Sequence, residues 1–144
     1  MKTAPGSTLE KPAAVGKPVH ARKSAPDYVK GRRDFFKYRD LGVTAATDGK
    51  IRAQVTIGSG GMTRPTGWHY HECEGQFIYM LKGWVELSFN DGRVIRVEEG
   101  DSMFIPGGVR HNETNAAMDI EILEVSVPAD MGTKACDAPA GLPG

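Results

Sequence analysis

Apolar and polar residues alternate along most of the chain. Ile51, Ala53, Val55 and Ile57 stand two apart, with Arg52, Gln54 and Thr56 between them. Period two puts the apolar set on one face of a half-buried strand. Asp48-Gly49 before it is a turn signal, and residues 60–67 (GGMTRPTG) form a Gly/Pro-dense loop. Residues 68–72 and 76–82 read as strands around a 72–75 connection, with Gly83 closing the second. Residues 84–89 alternate again, Asn90-Asp91-Gly92 makes a hairpin turn, and 93–97 is the return strand. Gly100-Asp101, a short strand to Ile105, the Pro106-Gly107-Gly108 break, and strands over 109–114 and 119–127 complete the pattern. Short strands at regular spacing, with no amphipathic helix, predict an all-β sandwich or barrel.

Composition agrees. Gly (18) and Pro (9) make up nearly a fifth of 144 residues, as suits a turn-rich β domain. One core is the limit at this length. Three regions are expected: a flexible basic arm over 1–33, a β-barrel domain over 34–127, and a loose tail over 128–144. The net charge is zero, but the arm holds eight Lys/Arg against Glu10 and Asp27, leaving an acidic body. No helix-turn-helix pattern accompanies the arm, so nucleic acid is not an expected partner. There is neither an apolar run of membrane-spanning length nor a signal-peptide pattern, so a cytoplasmic protein is expected. The two cysteines, Cys73 and Cys136, form no CxxC. Cys73, near the histidines, reads as a small apolar filler rather than a ligand.

Candidate chemistry lies in three histidines. His69 and His71 are two apart on a strand, so both point to one face and can converge on an ion. An HxH pair alone also fits two exposed histidines. His111 follows forty residues later, after the Pro-Gly-Gly turn. Residues 67–83 and 100–115 together resemble the two signature motifs of the cupin superfamily. In the first, His69, His71, residue 76 and Gly83 keep the motif spacing; in the second, Gly100, Pro106, Gly108, His111 and Asn115 match every position. The resemblance spans roughly residues 40–127. It implies a double-stranded β-helix, or jelly roll, holding one divalent transition metal ion (Fe, Zn, Mn or Ni) in its interior.

Two departures stand out. Thr63 occupies the place of the glycine that usually opens the first motif, and Gln76 that of the usual glutamate. A glutamine ligand would bind through its neutral carbonyl oxygen and leave the metal's full +2 charge, favouring an anionic oxygen ligand. Gln76 is therefore expected either as a fourth ligand beside His69, His71 and His111 or as a cavity-lining residue. Strand parity places Ile78 and Met80 on its face, lining the interior, and Phe77 and Tyr79 on the other. Glu121 or Glu124 could orient a histidine, but the phase shift at Ile122-Leu123 obscures which faces inward. Asn112-Glu113-Thr114 matches a glycosylation sequon, read as chance.

The resemblance implies three functional classes. The first is a non-haem metal-dependent dioxygenase acting on an enol, diketone or phenolic substrate. The second is an isomerase, cyclase or lyase using the metal as Lewis acid. The third is a cupin that binds a small ligand without turnover. An anionic small molecule is the expected partner in each, with a homodimer to which Phe35, Phe36 and Tyr38 could contribute.

Overall fold

The computed structural model describes residues 16–144; the flexible-arm reading of residues 1–15 lies outside the described residues. In chain order the elements are β1 (Asp27–Val29), β2 (Phe36–Asp40), a single helical turn α1 (Val43–Ala46), β3 (Arg52–Gly58), β4 (His69–His71) and β5 (Gly75–Lys82). Then follow β6 (Trp84–Phe89), β7 (Val94–Glu98), β8 (Ser102–Pro106), β9 (His111–Ala116), β10 (Glu121–Val127) and β11 (Thr133–Ala135). They form two antiparallel sheets, a six-stranded one in the order β1-β2-β3-β10-β5-β8 and a five-stranded one in the order β11-β4-β9-β6-β7. This is the predicted all-β jelly roll.

The core lies between the sheets. Met80 and Ile120 are fully buried at its centre, with Ile78, Val85, Leu87, Phe89, Val97 and Ile122 around them. Period-two alternation makes this possible: β6 buries Val85, Leu87 and Phe89 and turns Glu86 and Ser88 outward. Gly83 joins β5 to β6 at a φ of 77°, where a side chain would strain the backbone and meet Ile120 at close range.

Both ends differ from the expected boundaries. β1, within the basic arm, pairs with β2, Val29 opposite Tyr38. β11, within the expected loose tail, pairs with β4, and the Trp68 indole Nε1 donates to Pro143 O at 2.7 Å. Phe35 and Tyr38, expected as possible partner contacts, are instead buried in their own chain.

β3 reverses the simple expectation for an amphipathic strand. Ala53 and Val55 are buried, but they lie in register with Val125 and Leu123, and through these with Phe77 and Tyr79, on the outward side of the sheet. Arg52, Gln54 and Thr56 face the interior. A polar interior row of this kind needs a wet or ligand-filled space, because buried polar groups without partners are costly.

Candidate metal centre

The three barrel histidines are brought together by two sheet pairings and one turn. His69 of β4 lies directly opposite His111 of β9, and His71 follows two residues on, on the same face. The Pro106-Gly107-Gly108 turn locks the second motif onto the first. Gly107 N donates to Glu74 O at 3.2 Å and Gly108 N to His71 O at 2.9 Å. A Cβ at Gly107 would lie 1.7 Å from the Cys73 carbonyl oxygen, so the backbones approach this closely only with glycine there.

All three rings are buried, with centroids 4.4 Å apart for His69–His111 and 5.2 Å for each of the other pairs. Their candidate ligand atoms lie within 4.8 Å of one another. The opposite ring nitrogens are committed. His69 Nδ1 donates to Gly67 O at 2.7 Å and His111 Nδ1 to Val109 O at 2.9 Å, while His71 Nδ1 shares a hydrogen bond of 2.8 Å with the Thr133 hydroxyl, which can take either role. A carbonyl can only accept, so in the neutral ring Nδ1 carries the proton and Nε2 keeps its lone pair. Burial pushes the His69 imidazolium below its usual range. Burial, with His111 and His69 nearby, lowers His71 to about 4. Both are neutral near pH 7, as metal ligation requires.

Two atoms test whether an ion fits. His111 Nε2 and Gln76 Oε1 are buried without any hydrogen-bond partner. The Glu113 carboxylate adds a third sign: its Oε2 lies 3.4 Å from His69 Nε2. A lone pair and a carboxylate oxygen at that distance repel unless a cation stands near both. Three buried histidines are thus positioned to bind a metal, and the orphaned acceptors around them suit one.

His69 and His71 open onto a cavity of about 560 Å³, with His111 buried behind them. His69, His71, Gln76, Glu113 and Thr66 line its metal end. Val29 to Arg33 form one wall and residues 130–133 another. Tyr38, Arg52, Gln54 and Glu124 line the remainder. Burial would raise the Glu113 carboxyl, but His69, His111 and the Thr66 hydroxyl, which donates at 2.8 Å, outweigh it and hold it below the usual range. Glu124 accepts from Gln54 Nε2 at 3.3 Å. Burial raises its carboxyl despite Arg52, Thr56 and Gln54. Burial and Glu124 push the Tyr38 phenol up to about 12.

These positions revise several expectations. Ile78 and Met80 share the inward face of β5 with Gln76 but are packed into the core, not onto the cavity wall. Glu124 faces inward, yet it bonds Gln54 rather than a histidine, and a register irregularity at Glu121/Ile122 accounts for the phase shift. Glu113 means that the surroundings of the histidines are not wholly neutral. It had a readable signal: two residues past His111 on a strand, it must share that histidine's face. Thr133 had none. Asn112 of the sequon is buried and accepts from Gly67 N at 3.0 Å. Cys73 is a free thiol outside the histidine cluster.

Comparison with solved structures returns the same architecture. The polyketide cyclase RemF from Streptomyces resistomycificus is 22% identical with a TM-score of 0.66, over 87% of this chain and 90% of that one. KdgF from Halomonas sp. is 17% identical with a TM-score of 0.63, over 78% and 94%. Pac13, a nucleoside dehydratase, of Streptomyces, is 10% identical with a TM-score of 0.61, over 86% and 95%. No curated protein matches the chain in sequence. The family model described as "Cupin domain" matches residues 53–126, and the chain belongs to that family.

Proposed function

We propose that this cupin is an enzyme that holds one divalent transition metal ion (Fe, Zn, Mn or Ni) through His69, His71, His111 and the Gln76 carbonyl oxygen. Its reaction is of the lyase, cyclase or isomerase class, on a small oxygenated anion. One observation carries the reading: the histidine cluster adjoins a cavity whose two carboxyl groups are pushed in opposite directions, Glu113 down and Glu124 up. When bound, the ion supplies Lewis-acid stabilisation of negative charge on a substrate oxygen. Glu113 Oε2, fixed by Thr66, is placed to accept a hydrogen bond from a substrate hydroxyl beside His69. Burial raises the Glu124 carboxyl on the far wall, and Tyr38, pushed up to about 12, keeps its phenolic proton as a donor. The short, neutral Gln54 amide fixes the Glu124 carboxyl. The similarity to structures described as a cyclase and a nucleoside dehydratase supports this class.

A second reading, a dioxygenase of enol, diketone or phenolic compounds, is favoured by one feature. The predominantly neutral donor set would leave a bound ion most of its positive charge, which favours an enolate or phenolate oxygen as its ligand. The experiment is a metal assay followed by turnover. Purified protein should contain about one ion per chain, and His111→Ala close to none. Zinc-loaded protein should convert a small hydroxy or keto acid under anaerobic conditions. O2 consumption by iron-loaded protein with diketones or catechols would replace the first reading by the second. Unchanged metal content in His111→Ala would defeat both.

A further inference from the structure

We propose that Arg52 anchors a carboxylate of the ligand across the cavity from Gln76, so that the ligand is a small acid with a second oxygen function for the metal. This rests on the metal reading above and gives it a substrate class. The strand register carries the argument. Arg52 of β3 pairs with Ser126 of β10, and Ser126 pairs with Gln76 of β5. The three form one row across the inward face of the sheet. Adjacent strands lie about 4.8 Å apart, so the Arg52 and Gln76 Cα atoms are separated by roughly 10 Å. Between them stands only a serine, whose Oγ is turned to Ala129 O at 3.4 Å. The row thus runs from the Gln76 amide, past a small and fully buried serine, to a guanidinium, and both of its ends line the cavity.

The guanidinium is uncommitted. Arg52 lines the cavity, its Nε is buried without a partner, and among the described residues it makes no ion pair within 4.0 Å. The acids nearest in the next row are occupied. Asp40 accepts from Gly42 N, and Glu124 accepts from Gln54 while burial drives it toward its neutral form. Of the other cavity cations, Lys30 and Arg32 are exposed to solvent, and Arg33 lies in the field of Glu113 at the histidine end. Arg52 is therefore the half-buried cavity cation with no ion pair among the described residues, sharing a field with the burial-raised Glu124, and a partly buried charge without a close partner is costly. A ligand carboxylate supplies what is missing, because its two oxygens match the planar donor fork of arginine.

The test uses acetate, malonate, succinate and glutarate as probes, titrated calorimetrically into zinc-loaded protein. At least one dicarboxylate should bind more tightly than acetate. Arg52→Gln should weaken that binding by about 30-fold or more while leaving acetate binding and zinc stoichiometry unchanged. Arg52→Lys, which keeps charge but not the fork, should fall between, and it preserves the test if the glutamine variant does not fold. The inference is overturned if no dicarboxylate surpasses acetate, or if Arg52→Gln binds them all as the unaltered protein does. Repeating the titration on metal-free protein separates the two readings. Acid binding lost there with Arg52→Gln supports the anchor even if zinc never loads, whereas failure to load zinc counts against the metal centre alone.

Discussion

Replacing Thr133 by valine would sever a single bond between the C-terminal strand and the histidine cluster. Thr133 lies opposite His71 in the β11–β4 pairing, and its hydroxyl is 2.8 Å from His71 Nδ1, where it can accept the Nδ1 proton of a ring that ligates through Nε2. Valine matches threonine in shape, so packing survives while the acceptor disappears. Without it, nothing holds the His71 ring in the tautomer that leaves Nε2 bare. The lost bond should cost about 1 kcal/mol of folding stability, a drop of roughly 3 °C in Tm for a chain of this size. Metal affinity should suffer more. Removing the partner of a ligating histidine weakens metal binding by about 10- to 100-fold, or roughly 1.4 to 2.7 kcal/mol. Competition of zinc or cobalt(II) against a chromophoric chelator reads this directly, and a thermal melt of the metal-free variant checks the fold. Thr133→Ser retains the hydroxyl and should bind metal close to normally. If valine binds metal as tightly as threonine, or serine loses as much as valine, the hydroxyl does not orient His71.

Three other outcomes are expected. Met80→Ala should lower stability by about 2 to 5 kcal/mol, since the side chain is fully buried at the core; a loss well under 1 kcal/mol by chemical denaturation would show that the interior closes over the gap. For Glu124 the folded carboxyl lies above its unfolded value, so its contribution is fully present below about pH 4.5 and is lost as pH rises through the folded value. Glu124→Gln should therefore raise Tm relative to the unaltered protein more at pH 8 than at pH 4.5, and an offset independent of pH would contradict the assignment. On the outer face of the six-stranded sheet, Phe77, Tyr79, Leu81 and Phe104 stand 38%, 39%, 43% and 61% exposed beside the edge strand β8. An uncharged face of this kind meets its own copy without repulsion, so a two-fold dimer is expected. Light scattering should read about twice the 15.6 kDa chain mass, and Tyr79→Glu with Phe104→Glu should return it to one; a monomer before substitution refutes the expectation.

What could be read from sequence, and what could not, follows from how local the physics is. Strands β5 and β6 announce themselves because their own alternation decides which side is buried. The histidine cluster was legible because the turn that delivers His111 is written in residues, Pro106, Gly107 and Gly108, that nothing else could replace: Gly107 is pressed against the Cys73 carbonyl. β1 and β11 were not legible. Each has three residues and exists only through pairing with a distant strand, which no local pattern records. Their consequences reach the site, since β11 carries Thr133 and the segment after β1 carries Arg33.

The β3 strand is more instructive, because its pattern was visible and its meaning reversed. Ile51, Ala53, Val55 and Ile57 look like the core face of a strand, with Arg52, Gln54 and Thr56 in solvent. Yet Gln54 is 5% and Thr56 2% exposed, and they face inward with Arg52. Hydrophobic alternation identifies two faces; it does not say which one looks into the barrel when the barrel interior is a polar cavity at one end and a core at the other. The cross-strand rows resolve this. Toward Met80 the inward row is Thr56, Ile122 and Met80; one row on it is Gln54, Glu124 and Ile78; the next is Arg52, Ser126 and Gln76. Polarity rises row by row from the core to the histidines. Two of the residues that weaken the hydrophobic signal of β3, Gln54 and Arg52, are thus the ones that give the cavity an amide donor and a cation.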